Sequence, residues 1–203
     1  MSTKSFILLI CLLACFFRSV PSALAADVNM STSVQGGINL SLSTASLSLG
    51  NLTPGTPVRG SGGVDIDVTT SSETGYNLYI NDYVSGTNSA LLHTDSSTRI
   101  PDFSSLISSP SAWVSGTSTG LGFTVYYAQT NKETGQWGLG TTYNDSNNKY
   151  AGVPENATKI HASPDYKASA DRTSIAFMLD TTNAQKTGSY SGVVTITATA
   201  IVN

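Results

Sequence analysis

The sequence predicts an all-β fold, namely an antiparallel β-sandwich of the Greek-key or jelly-roll kind with about 9–10 strands and at most one short helix. Two observations predict it. Apolar and polar residues alternate along several segments, which is the period of a half-buried strand. Clusters of Gly, Pro, Ser, Asn and Asp separate these segments at the spacing typical of sandwiches and barrels. Only one stretch has a helical period.

The N-terminus has the three parts of an export signal. Met1–Lys4 is a short cationic start, Phe6–Phe17 is apolar, and Ser22–Ala25 offers the small residues that signal peptidase reads. The apolar run is shorter than the roughly 20 residues of a membrane-spanning helix. We therefore predict a signal peptide over residues 1–25 and a single exported β-sandwich domain over residues 26–203, without a membrane span.

Cleavage after Ala25 changes the composition of the chain. Cys11 and Cys15 both lie in the removed segment, so the mature chain can form no disulfide. The remaining 178 residues are enough for one domain with a sizeable core. Eight basic against thirteen acidic residues remain, a net charge of −5. This sign argues against nucleic acid and anionic lipid as partners.

Two short strands open the mature chain. Val28–Val34 alternates, Gly36 and Gly37 interrupt the pattern, and Ile38–Leu42 alternates again. A turn signal follows at Pro54–Pro57. The first strand stands beside the cleavage site, so it can pair within its own sandwich or fill the groove of a neighbour.

The next segments predict a hairpin and a short helix. Val64–Val68 and Tyr76–Ile80 alternate on either side of the turn Ser71–Gly75, which indicates a hairpin. The pattern weakens over Asn81–Gly120. Within it, Pro101–Ile107 places apolar residues at helical spacing after a proline suited to a first turn, so we expect one or two helical turns there.

The second half of the chain again reads as strands. Leu121–Ala128 and Gln136–Thr142 flank the turn Thr130–Gly135 and predict a second hairpin. A short strand is expected near Thr158–Ala162 and a longer one at Arg172–Asp180.

The last strand, Tyr190–Val202, has the clearest alternation. Its threonines fall mostly on one side, and the other side is apolar. The strand therefore needs a complementary apolar face, and we expect its inward side chains to be buried: Tyr190, Val194, Ile196 and Val202.

One motif suggests an enzyme. Gly116–Gly120 matches G-x-S-x-G, and Asp145 and His161 follow in the order used by α/β-hydrolases. That motif requires a helix after the serine, whereas Leu121–Ala128 alternates as a strand. We therefore predict no catalytic site and retain a hydrolase through Ser118 only as an alternative.

The sequence predicts no metal and no cofactor. His93 and His161 are far apart and have no nearby histidine or cysteine partner. The run Asp145–Asn148 lacks the glycine and the distal glutamate of a calcium loop, so it reads as a turn.

Aromatic residues in the middle of the chain allow two interpretations. Flat rings can stack on sugars, which predicts a ligand platform, while the same rings can fill a sandwich core with their polar tips at its rim. The core interpretation is favoured. The candidate platform residues are Trp113, Trp137, Tyr143 and Tyr150.

Three segments carry a resemblance to a known group of proteins. Thr74–Asn81, Tyr150–Ile160 and Asp180–Ala200 resemble a secreted β-sandwich family of candidate-phylum ultrasmall bacteria. The resemblance implies a place in the envelope or outside the cell, and it implies no reaction.

Three further segments resemble a second group. Leu49–Gly55, Gln136–Gly140 and Gly188–Gly192 are similar to pilin-like secreted domains of the spore-coat-U kind. That likeness implies fibres in which each subunit donates an N-terminal strand to the next. The early cysteine pair of those domains is missing here.

These observations favour a non-catalytic, exported structural protein, secreted or at the cell surface, and specifically a fibre subunit assembled by strand donation. The candidate donor strand is Val28–Val34, since an added strand binds through its backbone and its alternate side chains, here Val28, Met30, Thr32 and Val34. The expected partners are further copies of the chain or surface glycans. The alternative function is an adhesin module that binds carbohydrate or a host surface.

Overall fold

A computed structural model of the protein describes residues 37–82 and 91–202. The predicted all-β class is confirmed, with more and shorter strands than expected. The strands are β1 (Ile38–Leu42), β2 (Val58–Arg59), β3 (Val64–Thr70), β4 (Tyr76–Asp82), β5 (Leu91–His93), β6 (Arg99–Ile100), β7 (Ser111–Ala112), β8 (Gly120–Ala128), β9 (Lys149–Gly152), β10 (Thr158–Ser163), β11 (Lys167–Asp180), β12 (Tyr190–Ser191) and β13 (Val194–Ala200), with one helix, α1 (Thr134–Trp137).

The strands form three antiparallel sheets. The large sheet has the order β1-β3-β11-β8-β9-β7, with β2 beside β11. The middle sheet is β10-β4-β13, and the small sheet is β12-β5-β6. No helix among the described residues is long and apolar enough to cross a membrane.

The main core forms where the apolar sides of the large and middle sheets meet. Both β3 and β4 alternate buried and half-buried residues along their whole length, as their sequences predict. Ile66, Val68, Leu78 and Ile80 are fully buried. Each such side chain stabilises the fold by about 1.5–3 kcal/mol relative to an exposed one.

The first predicted hairpin is wrong in its pairing, although both of its strands exist. β3 pairs with β1 and β11, whereas β4 pairs with β10 and β13. The turn Ser71–Gly75 therefore carries the chain from one sheet to the other. Gly75 has φ +81°, and a Cβ there would collide with the Ser163 carbonyl, so this crossing requires glycine.

The predicted helix over Pro101–Ile107 is also wrong. The first three residues are extended, with Leu121 N–H donating to Pro101 O (2.9 Å) and Phe103 N–H donating to Leu121 O (2.8 Å). The rest forms bends and a turn, in which Ser109 N–H donates to Leu106 O (3.0 Å). Phe103 and Ile107 are buried while Leu106 is 69% exposed, so the apolar residues do not share one face.

The second predicted hairpin is replaced by other pairings. β8 pairs with β11 and β9, and the segment expected as its partner begins inside α1. Gly138 has φ +80° and ends this helix, which packs the Trp137 ring against Phe123 (5.3 Å between centroids). The free energy gained by burying the indole ring outweighs the strand preference of the alternating pattern.

The last strand is divided in two at Gly192–Val193. Tyr190 pairs in the small sheet, and the chain from Val194 onwards pairs with β4. The predicted inward residues Tyr190, Val194 and Ile196 are only half-buried, and Val202 is 78% exposed. Their alternation is correct, but the apolar cover that it calls for is incomplete.

Candidate functional site

An open groove lies beside β13, where that cover is missing. Its volume is about 330 Å³. Buried core residues form its floor, and the exposed or half-buried side chains of Leu42, Val193, Val194 and Ile196 form its rim. The floor residues include Val64, Leu121, Ile175 and Phe177. The groove therefore opens onto the hydrophobic core itself.

A wider cavity of about 750 Å³ adjoins the groove. The two share Leu47, Leu49, Leu91 and Gly192 in their linings. The wider cavity has a more polar rim, which the loop after β11 supplies. This loop is ordered by Tyr190 Oη, which donates to Lys186 O (2.7 Å), and by Gln185 Nε2, which donates to Arg99 O (3.1 Å).

The edge of β13 that borders the groove has no partner strand among the described residues. Ile201 N–H donates to Gly75 O (2.9 Å), in register with the β13–β4 pairs. Because hydrogen-bonded pairs alternate in an antiparallel ladder, Thr195, Thr197 and Thr199 bond to β4. The backbone groups of the intervening residues point the other way and have no ladder partner in residues 37–82 and 91–202: Val194, Ile196, Ala198 and Ala200.

β1 presents a second free edge by the same reasoning. Ser43 N–H donates to Asp65 O and Ser71 N–H donates to Gly37 O, both at 2.9 Å. The odd-numbered residues of β1 therefore bond to β3. Within the described part of the chain, the backbone groups of Ile38, Leu40 and Leu42 have no ladder partner. β1 and β13 are neighbours, so two edges without a partner strand in the described part of the chain flank one apolar groove.

The groove is closed at one end and open at the other. The turn Ser71–Gly75 binds both Gly37, before β1, and Ile201, after β13. This turn holds the two strands together at that end. Beyond Leu42 and Val194 the strands separate, and the groove leads to the wider cavity.

The predicted donor strand Val28–Val34 lies outside the described residues. The groove has an apolar floor and borders the first residues of β13. The free stretch of β13, Val194–Ala200, is seven residues long. The segment Val28–Val34 has the same length and the matching alternation.

The predicted aromatic platform requires correction. Trp137 and Tyr150 are 1% and 2% exposed, so neither ring can stack on a ligand. Trp113 is half-buried and packs against Phe103 and Tyr150, at 4.8 and 5.7 Å between centroids. Of the four residues only Tyr143 is exposed. The core interpretation of these rings is therefore the correct one for three of them.

Ser118 and Asp145 of the hydrolase motif form hydrogen bonds within their own turns, and His161 is buried. Ser118 Oγ accepts a hydrogen bond from Val114 N–H (3.0 Å) within a turn, and β8 follows it directly in place of the required helix. Asp145 accepts from Asn147 N–H (2.9 Å) in its own turn. His161 is buried with its ring edge toward Tyr76.

The sequence reasoning missed the buried carboxylate of Asp82 and the half-buried carboxylate of Asp102. Asp82 ends β4 opposite Val194, and Asp102 meets Leu121 of the groove floor. Burial raises the pKa of Asp82 to about 6. Burial and the nearby Asp82 charge raise the pKa of Asp102 to about 7. Asp82 follows the alternating segment Tyr76–Ile80, which is a sequence signal of partial burial, whereas Asp102 follows only Ile100 and Pro101 and has no such signal.

A polar contact between the sheets was also missed. Tyr76 Oη donates to Asp171 Oδ2 (3.1 Å), and Thr130 Oγ1 donates to Asp171 Oδ1 (2.8 Å). Asp171 is 2% exposed, so these bonds tie β4 to β11 inside the molecule. Elsewhere, the described residues contain no cluster of three or more His, Cys, Asp or Glu side chains that could hold a metal ion.

The candidate functional site is therefore the open apolar groove beside β13. No protein-family model matches the sequence, and no curated protein matches it significantly.

Proposed function

We propose that this protein is a non-catalytic, exported structural subunit that polymerises by strand donation at the cell surface. Residues 28–34 of one copy fill the groove of the next copy. One observation carries the proposal: an apolar groove lies between two unpaired sheet edges, β1 and β13, and exposes the core. A strand has hydrogen-bonding groups on both of its sides, so a segment inserted where the two edges lie about 10 Å apart can bond to both of them.

The closed end of the groove sets the direction of the inserted strand. Val34 of the donor is followed by its own body after only Gln35 and Gly36. Three peptide steps span about 10 Å, so the donor's body must lie directly beyond the end of the inserted segment. Only the open end, beyond Leu42 and Val194, leaves room for it. The donor strand therefore runs antiparallel to β13.

This direction places the first half of the donor strand at the closed end of the groove and its second half at the open end. With the donor aligned along Val194–Ala200, Val34 lies beside Val194 and Thr32 beside Ile196, while Met30 and Val28 lie beside Ala198 and Ala200. Thr32 and Val34 lie toward the wider cavity, where Ser189 and Ser191 contribute to the lining.

A donor-deficient variant tests the proposal. In the chain that begins at Ala26, Val28→Asp with Met30→Asp leaves the groove intact and removes the apolar side chains that fill it. We expect the unmodified chain to form larger species as its concentration rises, and the variant to stay monomeric in sedimentation velocity.

A peptide of residues 26–36 supplies the missing strand to that variant. Hydrogen exchange should slow at the free-edge amides of Val194, Ile196 and Ala198, and the peptide with both aspartates should have no effect. Strand donation is wrong if the unmodified chain stays monomeric and the unmodified peptide leaves these amides unprotected.

A further inference from the structure

We infer that consecutive subunits also meet body to body, with an acidic surface at the base of the donor docked against the Lys186 loop of the acceptor. The acidic surface consists of Glu73 and Asp165. The Lys186 loop is the segment Thr182–Ser189. This inference rests on the proposed function and deepens it, because it names a second contact that the donated strand alone does not provide.

The short tether brings the two bodies together. Gly37 begins the described part of the donor's body, about 10 Å of chain from Val34. A tether of this length keeps the donor's base within about 10 Å of the open end of the acceptor's groove. The residues around Gly37 must therefore face the residues that line the wider cavity.

Two turns lie at the donor's base. Ser71–Gly75 binds Gly37 directly, since Gly37 N–H donates to Ser71 Oγ (2.6 Å). The turn that contains Asp165 lies against it, because the backbone of Gly75 approaches that of Asp165 closely. Glu73 and Asp165 are both exposed, and neither forms an ion pair within the described residues. The base of the donor thus presents two uncompensated negative charges.

The opposite charge lies at the open end of the groove. Lys186 lines the wider cavity, and its side chain is 56% exposed. Its ammonium group binds Asp95 at 2.8 Å, which uses one of its three N–H donors. The bond from Tyr190 Oη to Lys186 O fixes the backbone of the loop. Lys186 is therefore held at the mouth of the cavity with donors left for a second carboxylate.

Charge reversal tests the contact in the chain that begins at Ala26. Glu73→Lys and Lys186→Glu should each weaken self-association about two- to fivefold in sedimentation velocity at low salt, as expected for one exposed ion pair. The double variant should restore association toward the unmodified level. At about 1 M salt the difference should disappear because screening is then nearly complete. Glu155→Lys, an exposed reversal outside both surfaces, is the matched control and should have no effect.

Binding of the 26–36 peptide to the donor-deficient chain separates this inference from the proposed function. Unchanged association in both single variants, or a double variant that fails to recover, overturns the body contact when the peptide still binds. Failure of the peptide to bind overturns strand donation and this inference with it. Weaker association with intact peptide binding and recovery in the double variant supports the contact.

Discussion

The two outer edges of the middle sheet differ in the features that govern strand addition. β10 has a register shift between Lys159 and His161, and Lys159 is exposed. β13 pairs with β4 over seven consecutive residues without any shift. No charged residue occurs from Tyr190 to Asn203.

Bulges and lysines are the devices by which proteins block unwanted pairing at sheet edges. β10 has both, although it needs no partner to cover its buried residues. β13 has neither, and its apolar side chains remain half-buried beside the groove. An edge kept flat, uncharged and apolar is suited to receive a strand, and this contrast supports a partner at β13 rather than at β10.

We expect the largest effect on stability at a pair of residues on adjacent strands of the middle sheet. Ile80 of β4 is fully buried, and its partner Ile196 on β13 is half-buried. We expect Ile80→Ala to lower the free energy of unfolding by about 2–5 kcal/mol. Ile196→Ala should cost clearly less in the donor-deficient chain, because its side chain is still partly in water.

Adding the 26–36 peptide sharpens this comparison. A filled groove buries Ile196 fully, so the cost of Ile196→Ala should rise toward that of Ile80→Ala in urea unfolding. An equal cost with and without peptide would show that nothing covers Ile196.

Proline tests which backbone groups of β13 are free. Thr197 N–H bonds to β4, so Thr197→Pro should lower the free energy of unfolding by about 1–3 kcal/mol through the lost bond and the acceptor left without a donor. Ala198 N–H points to the open edge. Ala198→Pro should therefore cost little stability and yet block both polymerisation and peptide binding. Equal destabilisation by the two prolines would refute the assigned ladder.

The strands of this sheet could be predicted from the sequence, whereas their partners could not. Alternation is a local pattern, so the strand at Tyr76–Ile80 was predicted correctly, and the last strand was predicted correctly over Val194–Ala200 but not in its continuity with Tyr190. The choice of sheet depends on distant contacts, such as the close approach of Gly75 to Ser163. The turn Ser71–Gly75 therefore suggested a hairpin that does not exist.

The groove, like the strand pairing, could be predicted only in part from the sequence. The sequence predicted a last strand in need of an apolar cover and a segment able to supply it. That the cover is missing at β13 is a property of the assembled sheets, which no local pattern contains. Trp137 shows a second limit of prediction from sequence. A ring that stacks on sugar and a ring that fills a core have the same sequence signal.

The two edges should also respond to pH in opposite directions. Burial lowers the pKa of His161 on β10 below 6.5. The unfolded chain then binds this proton first, so the contribution of His161 to stability falls as the pH drops through 6.5. Burial raises the pKa of Asp82, opposite β13, from 3.8 to about 6. The folded chain holds that proton more tightly, so the contribution of Asp82 falls as the pH rises from about 4 to about 6.

Single variants separate the two effects in urea unfolding between pH 4 and pH 8. Relative to the unmodified chain, Asp82→Asn should gain stability as the pH rises from 4 to 6. His161→Gln should gain stability as the pH falls below 6.5. Parallel curves for a variant and the unmodified chain would mean that its residue titrates alike in the folded and unfolded states.

The smallest expected effect on stability comes from the charge on β10. Lys159 is exposed, so Lys159→Thr should change the free energy of unfolding by less than about 0.5 kcal/mol. If this lysine protects the β10 edge, the variant should aggregate faster than its parent in light scattering.

The donor-deficient chain is the right background for this measurement, because ordered polymerisation at β13 is then absent. Thr195→Lys, at a matched exposed position on β13, should leave that rate unchanged or lower it. Faster aggregation confined to Lys159→Thr would show that the β10 edge is able to pair and is kept from pairing by its charge. An unchanged rate would assign the protection to the bulge alone.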